Sequence, residues 1–408
     1  MGLFAKLAWR NIWRNKRRSV ITAASILFAV FIAVMARSIA VGVFGRMINH
    51  LVSSFSGYIQ VHHAGYFDSR SLDDSFFADP ELIESIELVR HVTFAVPRLE
   101  TFALVSSGDR TDGARILGID PEIEDRMTTL TENIAAGRYL QPSDKGVLLG
   151  AELARHLQVE VGDEVALLGS GYQAATAAGR YTIVGTIALP VEEMSAALVW
   201  MPLAEAQWLF NTGDRITTLA LHIDDPRHLE RIHSDLANQL DRDLESFTWK
   251  QIMPELDQFV TLKYRGQDFI IGLIYVIVGF GVFGTILMMT MERLREFGMV
   301  TALGMRRGLL VRILILESTM LTLVGAIAAT LVTWPILIYM SQHPIRLTGS
   351  MEQAYREYGF EPLIAFALQP EIFVWQTIIV ILIAFVASVY PVVRVMRLNP
   401  VVAMRTGH

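Results

Sequence analysis

The chain has 408 residues, of which 52% are hydrophobic and none is cysteine, so a disulfide framework and a thiolate metal site are excluded and the apolar fraction is high for a water-soluble protein. The net charge of −6 hides opposite local balances. Residues 1–18 hold six lysines and arginines with no acid, whereas residues 42–268 hold 18 basic against 34 acidic side chains.

Near the start, "LFAKLAWRNIWRNKRRS" sets Lys6, Arg10, Arg14 and Arg17 on one helical face, with Phe4, Ala5, Trp9, Ile12 and Trp13 largely opposite. That is the pattern of a helix lying in a membrane interface, tryptophans at headgroup depth and cations toward anionic lipid. A spanning run follows at once, so nucleic acid is not an expected partner. A basic stretch before an apolar one also resembles a cleaved signal, but this run is too long and Ala36-Arg37-Ser38 is a poor cleavage site.

Apolar runs at 20–43, 269–291, 313–340 and 372–390 are each long enough to cross a bilayer as a helix. The predicted fold class is therefore an α-helical membrane protein with four transmembrane helices and a large α+β domain between the first two. The expected divisions are an interfacial helix at 1–18, span one and a stalk at 19–57, and the large domain at 58–250. A second stalk and span two follow at 251–291, a short helix at 292–308 and span three at 309–340. A loop at 341–371, span four at 372–395 and a tail at 396–408 complete the chain. Lys and Arg concentrate at 1–18, at 292–312 and at 394–408, which places those segments and both termini in the cytoplasm. Four spans then put the large domain outside, so parity and charge agree.

Within the large domain, "YIQVHH", "DPELIESIELVRH" and "VTFAVPRLETFALV" read as strand, helix, strand, and so do "TTLALHID", "DPRHLERIHSDLANQL" and "ESFTWKQI". Both helices open with Asp-Pro, an N-cap followed by proline at the first helical position. Two such units can pair into one split βαβ layer. Between them, about 111–213, short strand signals and turn glycines predict a β-rich insertion with short helices at "AELARHLQ" and "PLAEAQWLF". Pro254 is expected to break or delay the helix leading into span two.

No phosphate loop of the G-x-x-x-x-G-K-[ST] type, no H-E-x-x-H and no G-x-S-x-G occurs, so no catalytic residue is assigned and ATP hydrolysis by a P-loop is excluded. His62, His63 and Asp68 do not make a credible metal site, because adjacent strand residues point to opposite faces. Arg37 is expected to snorkel from the outer end of span one. Glu317, about one turn beyond Arg312, is either capped by a neighbouring cation or reports a conformational change. Gly272, Gly279, Gly281 and Gly284 mark a face of span two where another helix can approach closely, within the chain or across a dimer. Pro335 is expected to kink span three.

After span two, "MERLREFGMVTALGMRRG" packs Glu292, Arg293, Arg295 and Glu296 into five positions and then repeats apolar residues at helical spacing. A short amphipathic helix from Glu292 to Leu303 fits, with Gly298 allowing close approach and Gly304 stopping it as a C′ residue. A rigid helix joining two spans can act as a lever on both. A pocket for variable acyl chains is expected between span one (Phe28, Phe31, Ile32, Met35, Ile39) and span two (Phe269, Leu273, Val276, Phe280, Phe283), flexible methionine and flat aromatics suiting such cargo.

"MERLREFGMVTALGMRRGLLVRILILES" resembles the E-R-x-R-E-I-G-x-x-x-A-L-G pattern of the FtsX-like permease family, membrane subunits of ABC transporters of the mechanotransmission class, with Phe297 in place of the usual isoleucine. "YPVVRVMRLNPVVAMRTG" resembles that family's C-terminal ending, with Val402 where Glu is common, and "LAWRNIWRNKRRSVIT" its N-terminal helix. "ARILGIDP" and "GVLLGAELARHLQVEVGDEVAL" resemble a MacB-like periplasmic domain, and the separate-chain layout is closest to the lipoprotein-releasing LolC/LolE-type permeases. The resemblance implies a bacterial inner-membrane permease that binds no cofactor or metal itself, ATP and Mg being held by two copies of a cytoplasmic ABC ATPase subunit. It implies coupling to that ATPase through Glu292, Arg293, Arg295, Glu296, Phe297, Gly298, Met299, Ala302, Leu303 and Gly304. It also implies a second permease subunit, identical or homologous, contact with membrane lipid, and a periplasmic lipoprotein carrier as a further partner. The nearest equivalent of a carrier-binding hairpin is "GSGYQAATAAGR", which is short and lacks proline. The expected function is lipoprotein release; export of peptides or small amphiphiles, and transmembrane signalling to a periplasmic enzyme, are the alternatives.

Overall fold

The computed structural model describes residues 3–14, 16–189, 195–357 and 362–397. The C-terminal ending from 398, with Val402, lies outside the described residues. The chain divides into two units. One holds the residues up to 45, residues 260–346 and those from 363 onward; the other holds residues 46–259 and 347–362. Within the connection expected at 341–371, Ser350–Glu357 is helical and Ile345–Arg346 pairs antiparallel with Leu363–Ile364.

The first unit is helical. A short helix α1 (Leu3–Arg14) precedes α2 (Lys16–Leu51), α3 (Pro254–Glu292), the short α4 (Leu294–Ala302), α5 (Arg307–Gln342) and α6 (Pro370–Met396). Helices α2, α3, α5 and α6 are each long and apolar enough to cross a membrane. Proline at the first position fits α3 and α6, because its missing N–H would have had no partner in the first turn. Pro254 thus starts α3 rather than breaking it. Helix α5 stays continuous through Pro335, the loss of one ladder bond being insufficient to end it. Ile26, Val30, Val34, Ile271, Val282, Ile286, Ala329 and Val380 form the bundle core. Of the glycines expected at a helix contact, a Cβ on Gly279 would come 3.3 Å from Ile383 of α6, whereas Gly272, Gly281 and Gly284 face open space. The tight crossing is at Gly325 instead, where a Cβ would lie 2.7 Å from Ile26 of α2.

The second unit carries a ten-stranded sheet. Its strands are β1 (Ile59–His63), β2 (Val92–Ser107), β3 (Arg110–Ile119), β4 (Ile134–Gly137), β5 (Gly146–Gly150), β6 (Glu164–Ser170), β7 (Thr176–Ile187), β8 (Leu198–Pro202), β9 (Thr218–Ile223) and β10 (Leu244–Thr248). The order β10-β1-β9-β2 interleaves the two strand–helix–strand repeats, all neighbours antiparallel, as a split βαβ layer requires. Helices Pro80–Glu87 and Leu229–Gln239 pack Ile86, Leu229, Ile232 and Leu236 against Ile59, Val61, Leu219 and Leu221 of that layer.

Beyond it the pairings close on themselves. β2 pairs β3, β3 pairs β8, β8 pairs β5, β5 pairs β7, β7 pairs β6, and β6 returns to β2. The insertion is thus a six-stranded barrel, filled by Leu99, Val105, Ile116, Val147, Val165, Ile183 and Val199, and closure leaves no edge among those strands. It begins at Arg98, inside β2, rather than near 111 as the sequence suggested. Arg98 is opposite Thr218 of β9 and also opposite Ile119 of β3, so the same strand leaves the layer and enters the barrel at this residue.

Candidate functional site

The short helix α4 is set off by a break on one side and a cap on the other. Helix α3 ends at Glu292, and Arg293, at φ −96° and ψ 3°, turns the chain before α4 begins. The helix is therefore shorter than the expected 292–303. Its other end is a Schellman motif. Gly304, at φ +98°, donates its N–H to Thr301 at 3.0 Å, and Met305 donates to Val300 at 3.2 Å. Val300 and Met305 pack in one apolar cluster, the hydrophobic contact that accompanies this cap.

Two faces of α4 differ sharply. Inward, Phe297 is buried with Leu310 and Leu314 of α5 and Val395 of α6, and Gly298 beside it is also buried. Outward, Arg295, Met299 and Ala302 are exposed, together with Glu292 at the end of α3 and Gly304 after the helix. Leu303 is 89% exposed, an extreme value for a leucine.

The charges at the break form a connected set. Arg293 donates from one guanidinium nitrogen to both carboxylate oxygens of Glu317, at 3.0 and 2.8 Å. Both side chains are largely buried. Glu296 accepts from Arg14 of α1 at 2.7 and 2.8 Å, and its carboxylate lies 3.7 Å from Arg293. The set thus links α1, the α3–α4 turn, α4 and α5 around a polar cleft of about 230 Å³. Glu317 is capped by a cation, the first of its two expected roles. Helix α1 buries Ala8 and Ile12 and leaves Trp9 and Trp13 about half exposed.

The ten residues expected to line an acyl pocket do not converge within one chain. Phe269, Leu273, Val276 and Phe280 form an exposed stripe on α3, and Phe28 of α2 is also exposed. Phe31 and Ile32 are half-buried, while Met35, Ile39 and Phe283 pack against the bundle core. A cavity of about 580 Å³ lies instead among α2, α3 and α6 at the end of the bundle far from α4. Arg37 stands at its mouth, paired with Asp268 at 2.8 Å and stacked on Tyr264, so it does more than snorkel.

In the second unit, four ionisable side chains that sequence reasoning passed over meet where β2 changes partners. Arg98 donates to both oxygens of Glu124, at 2.9 and 2.6 Å, and to the Phe55 carbonyl at 2.6 Å. Arg115 pairs with Glu100. Arg98, Glu100 and Glu124 are all essentially buried. Burial opposes ionisation of Glu100, but Arg115 and Arg98 beside it outweigh this and hold its carboxyl below the ordinary value. The available signal was Arg98 and Glu100 two apart on a strand, hence on one face. His62 is buried against the Thr217 carbonyl at 2.9 Å and Gln60 at 3.0 Å, and burial pushes its pKa down. The hairpin "GSGYQAATAAGR" is the β6–β7 turn, where the Gln173 N–H is held by Asp73 at 2.7 Å.

The profile of the MacB-like periplasmic core domain matches residues 19–239, and that of the FtsX-like permease C-terminal region matches 269–400. The lipoprotein-releasing system transmembrane protein LolC of Xylella fastidiosa is 25% identical over 328 residues, covering 77% of this chain and 78% of that protein. LolE of Haemophilus influenzae is 23% identical over 235 residues, covering 54% of each chain. The probable export ATP-binding/permease protein MacB of Pseudomonas entomophila is 22% identical over 347 residues, covering 80% of this chain and 50% of that one. With a MacB-like core domain over more than half its length and an FtsX-like region after it, the chain belongs to the FtsX-like permease family, as a multi-pass inner-membrane ABC transporter permease.

Proposed function

We propose that this permease releases lipoproteins from the inner membrane. Support comes from the likeness to LolC, which spans both units and most of either chain. In this reading both termini and α4 are cytoplasmic, the second unit is periplasmic, and the chain pairs with a second permease subunit, identical or homologous. Two ATPase subunits hold ATP and Mg, and their closure pushes on the outward face of α4. The observation that carries the coupling is Leu303, bare to solvent at the end of a helix whose opposite face is locked to α5 and α6. Motion imposed there is shared by α3 and α5, which α4 joins directly. Acyl chains of the cargo lie on the stripe Phe269, Leu273, Val276 and Phe280, facing the second permease subunit, and a periplasmic carrier meets the β6–β7 turn.

Photo-crosslinkers at Leu273 and Phe280 test this in membranes containing the ATPase. Lipoprotein should be captured without ATP and released when ATP is added. Adducts with phospholipid alone, unchanged by nucleotide, overturn lipoprotein release. The likeness to MacB would then favour a second reading, export of peptides or small amphiphiles.

A further inference from the structure

The cavity among α2, α3 and α6 holds two polar atoms that have no hydrogen-bond partner among the described residues. The hydroxyl of Tyr275 and the side-chain carbonyl oxygen of Gln376 are both buried and unbonded, and both residues line it. Tyr275 is 8% exposed and Gln376 6%. Two such groups in one bundle are unfavourable unless something enters to pair them. The walls beside them, Ile271, Ile372 and Ile379, are apolar. The mouth carries the Arg37–Asp268 pair and the exposed Glu371, so it has one more carboxylate than guanidinium.

The geometry points to a bound lipid with an ammonium-bearing headgroup, a phosphatidylethanolamine, whose donors enter toward Gln376 and Tyr275. An acceptor-only amide oxygen and a surplus carboxylate favour a donor-rich cation over an anionic head, and the Tyr275 hydroxyl can accept from the same donors. Arg37 at the rim suits the phosphate, and the apolar walls take the start of an acyl chain. At about 580 Å³ the cavity is in the range of small-molecule sites. Such a lipid would wedge α2, α3 and α6 at the end opposite α4, whatever cargo the permease handles.

Gly272 supplies the cleanest test. It lines the cavity, and a Cβ added to it meets nothing within 4 Å, so a side chain at this position starts without a clash, and Gly272→Leu occupies part of the space and favours the helix. The full chain is purified from membranes containing phosphatidylethanolamine and phosphatidylglycerol, stripped in steps, and its retained lipid weighed by native mass spectrometry. Wild type should keep about one ethanolamine lipid per chain in preference to glycerol lipid, and Gly272→Leu and Gln376→Leu should each cut that retention about tenfold. Tyr275→Phe should weaken it less. Thermal unfolding checks that the variants remain folded; a variant that does not fold is replaced by Ile379→Phe, which narrows the same space. Equal retention of the two lipids, or retention unchanged in folded Gly272→Leu, overturns the proposal. Because no ATPase or lipoprotein is present, the result is independent of the release reading.

Discussion

Arg293 holds both carboxylate oxygens of Glu317, tying the turn between α3 and α4 to a buried position on α5. Removing one member leaves the other charge without its partner in a largely enclosed place, which costs about 3 kcal/mol or more. Glu317→Ala should therefore destabilise the bundle by roughly that amount, and Arg293→Gln with Glu317→Gln should recover most of it. Stability and coupling separate here. The double variant should still bind the ATPase yet hydrolyse ATP with little dependence on cargo, since the turn is no longer fixed to α5. Wild-type coupling in the double variant would show that the pair serves stability alone.

Leu303 offers a test of the docking face. Its side chain touches almost nothing in this chain, so Leu303→Asp should leave thermal unfolding within about 0.5 kcal/mol of wild type. The same change should lower co-purification of the ATPase about tenfold or more, because an exposed leucine that fills a partner's pocket is an anchor. Normal ATPase binding by Leu303→Asp would move the interface off this face of α4.

Gly304 tests the cap behind that face. A Cβ at φ +98° is strained, so Gly304→Ala should cost about 1 kcal/mol and Gly304→Asn less. The loss should appear as faster amide exchange at Thr301 to Met305, whose hydrogen bonds form the motif. Equal protection in wild type and Gly304→Ala would show that the cap does not hold the end of α4.

What could be read from the sequence follows from the range of each interaction. The spans were legible because a bilayer demands about twenty consecutive apolar residues. The cap at Gly304 was legible because it is local. The interleaved layer was foreseen from two Asp-Pro repeats, although only Asp225 and not Asp79 uses its side chain as a cap. The barrel was not foreseen as closed, since its seam joins β6 to β2 and two of its pairings are parallel, contacts between distant residues that leave no periodic trace. Tyr275 and Gln376 likewise meet only through the crossing of α3 and α6.

The buried charges of the second unit make its stability depend on pH. Glu100 has a folded pKa below its ordinary value, so its contribution is present above that value and is lost as pH falls through the folded one. His62 is also shifted down, by burial, so protonation favours unfolding once pH drops below about 6.5. Both terms have the same sign. Limited proteolysis of the full chain, mapped within residues 92–248, should accelerate from about pH 6.5 downward and again in the carboxylate range. In His62→Gln the first rise should shrink to the part carried by His222, whose pKa burial also pushes down, while the second remains. A flat profile between neutral pH and the carboxylate range in wild type would show that His62 carries no such linkage.

Topology can be decided with single cysteines, because the chain has none of its own to remove. Asp109 is exposed in the turn between β2 and β3, and Arg306 is exposed between α4 and α5, so either position accepts a thiol without disturbing a core. Arginines concentrate around residue 306, whereas residues 42–268 carry a large acidic excess. Cytoplasmic flanks hold the surplus of Lys and Arg. An impermeant maleimide should therefore label Asp109→Cys in intact spheroplasts and Arg306→Cys only after lysis. The reverse pattern would put α4 outside the cell, where no ATP-driven subunit could reach Leu303, and both the coupling assignment and the release mechanism built on it would fall together.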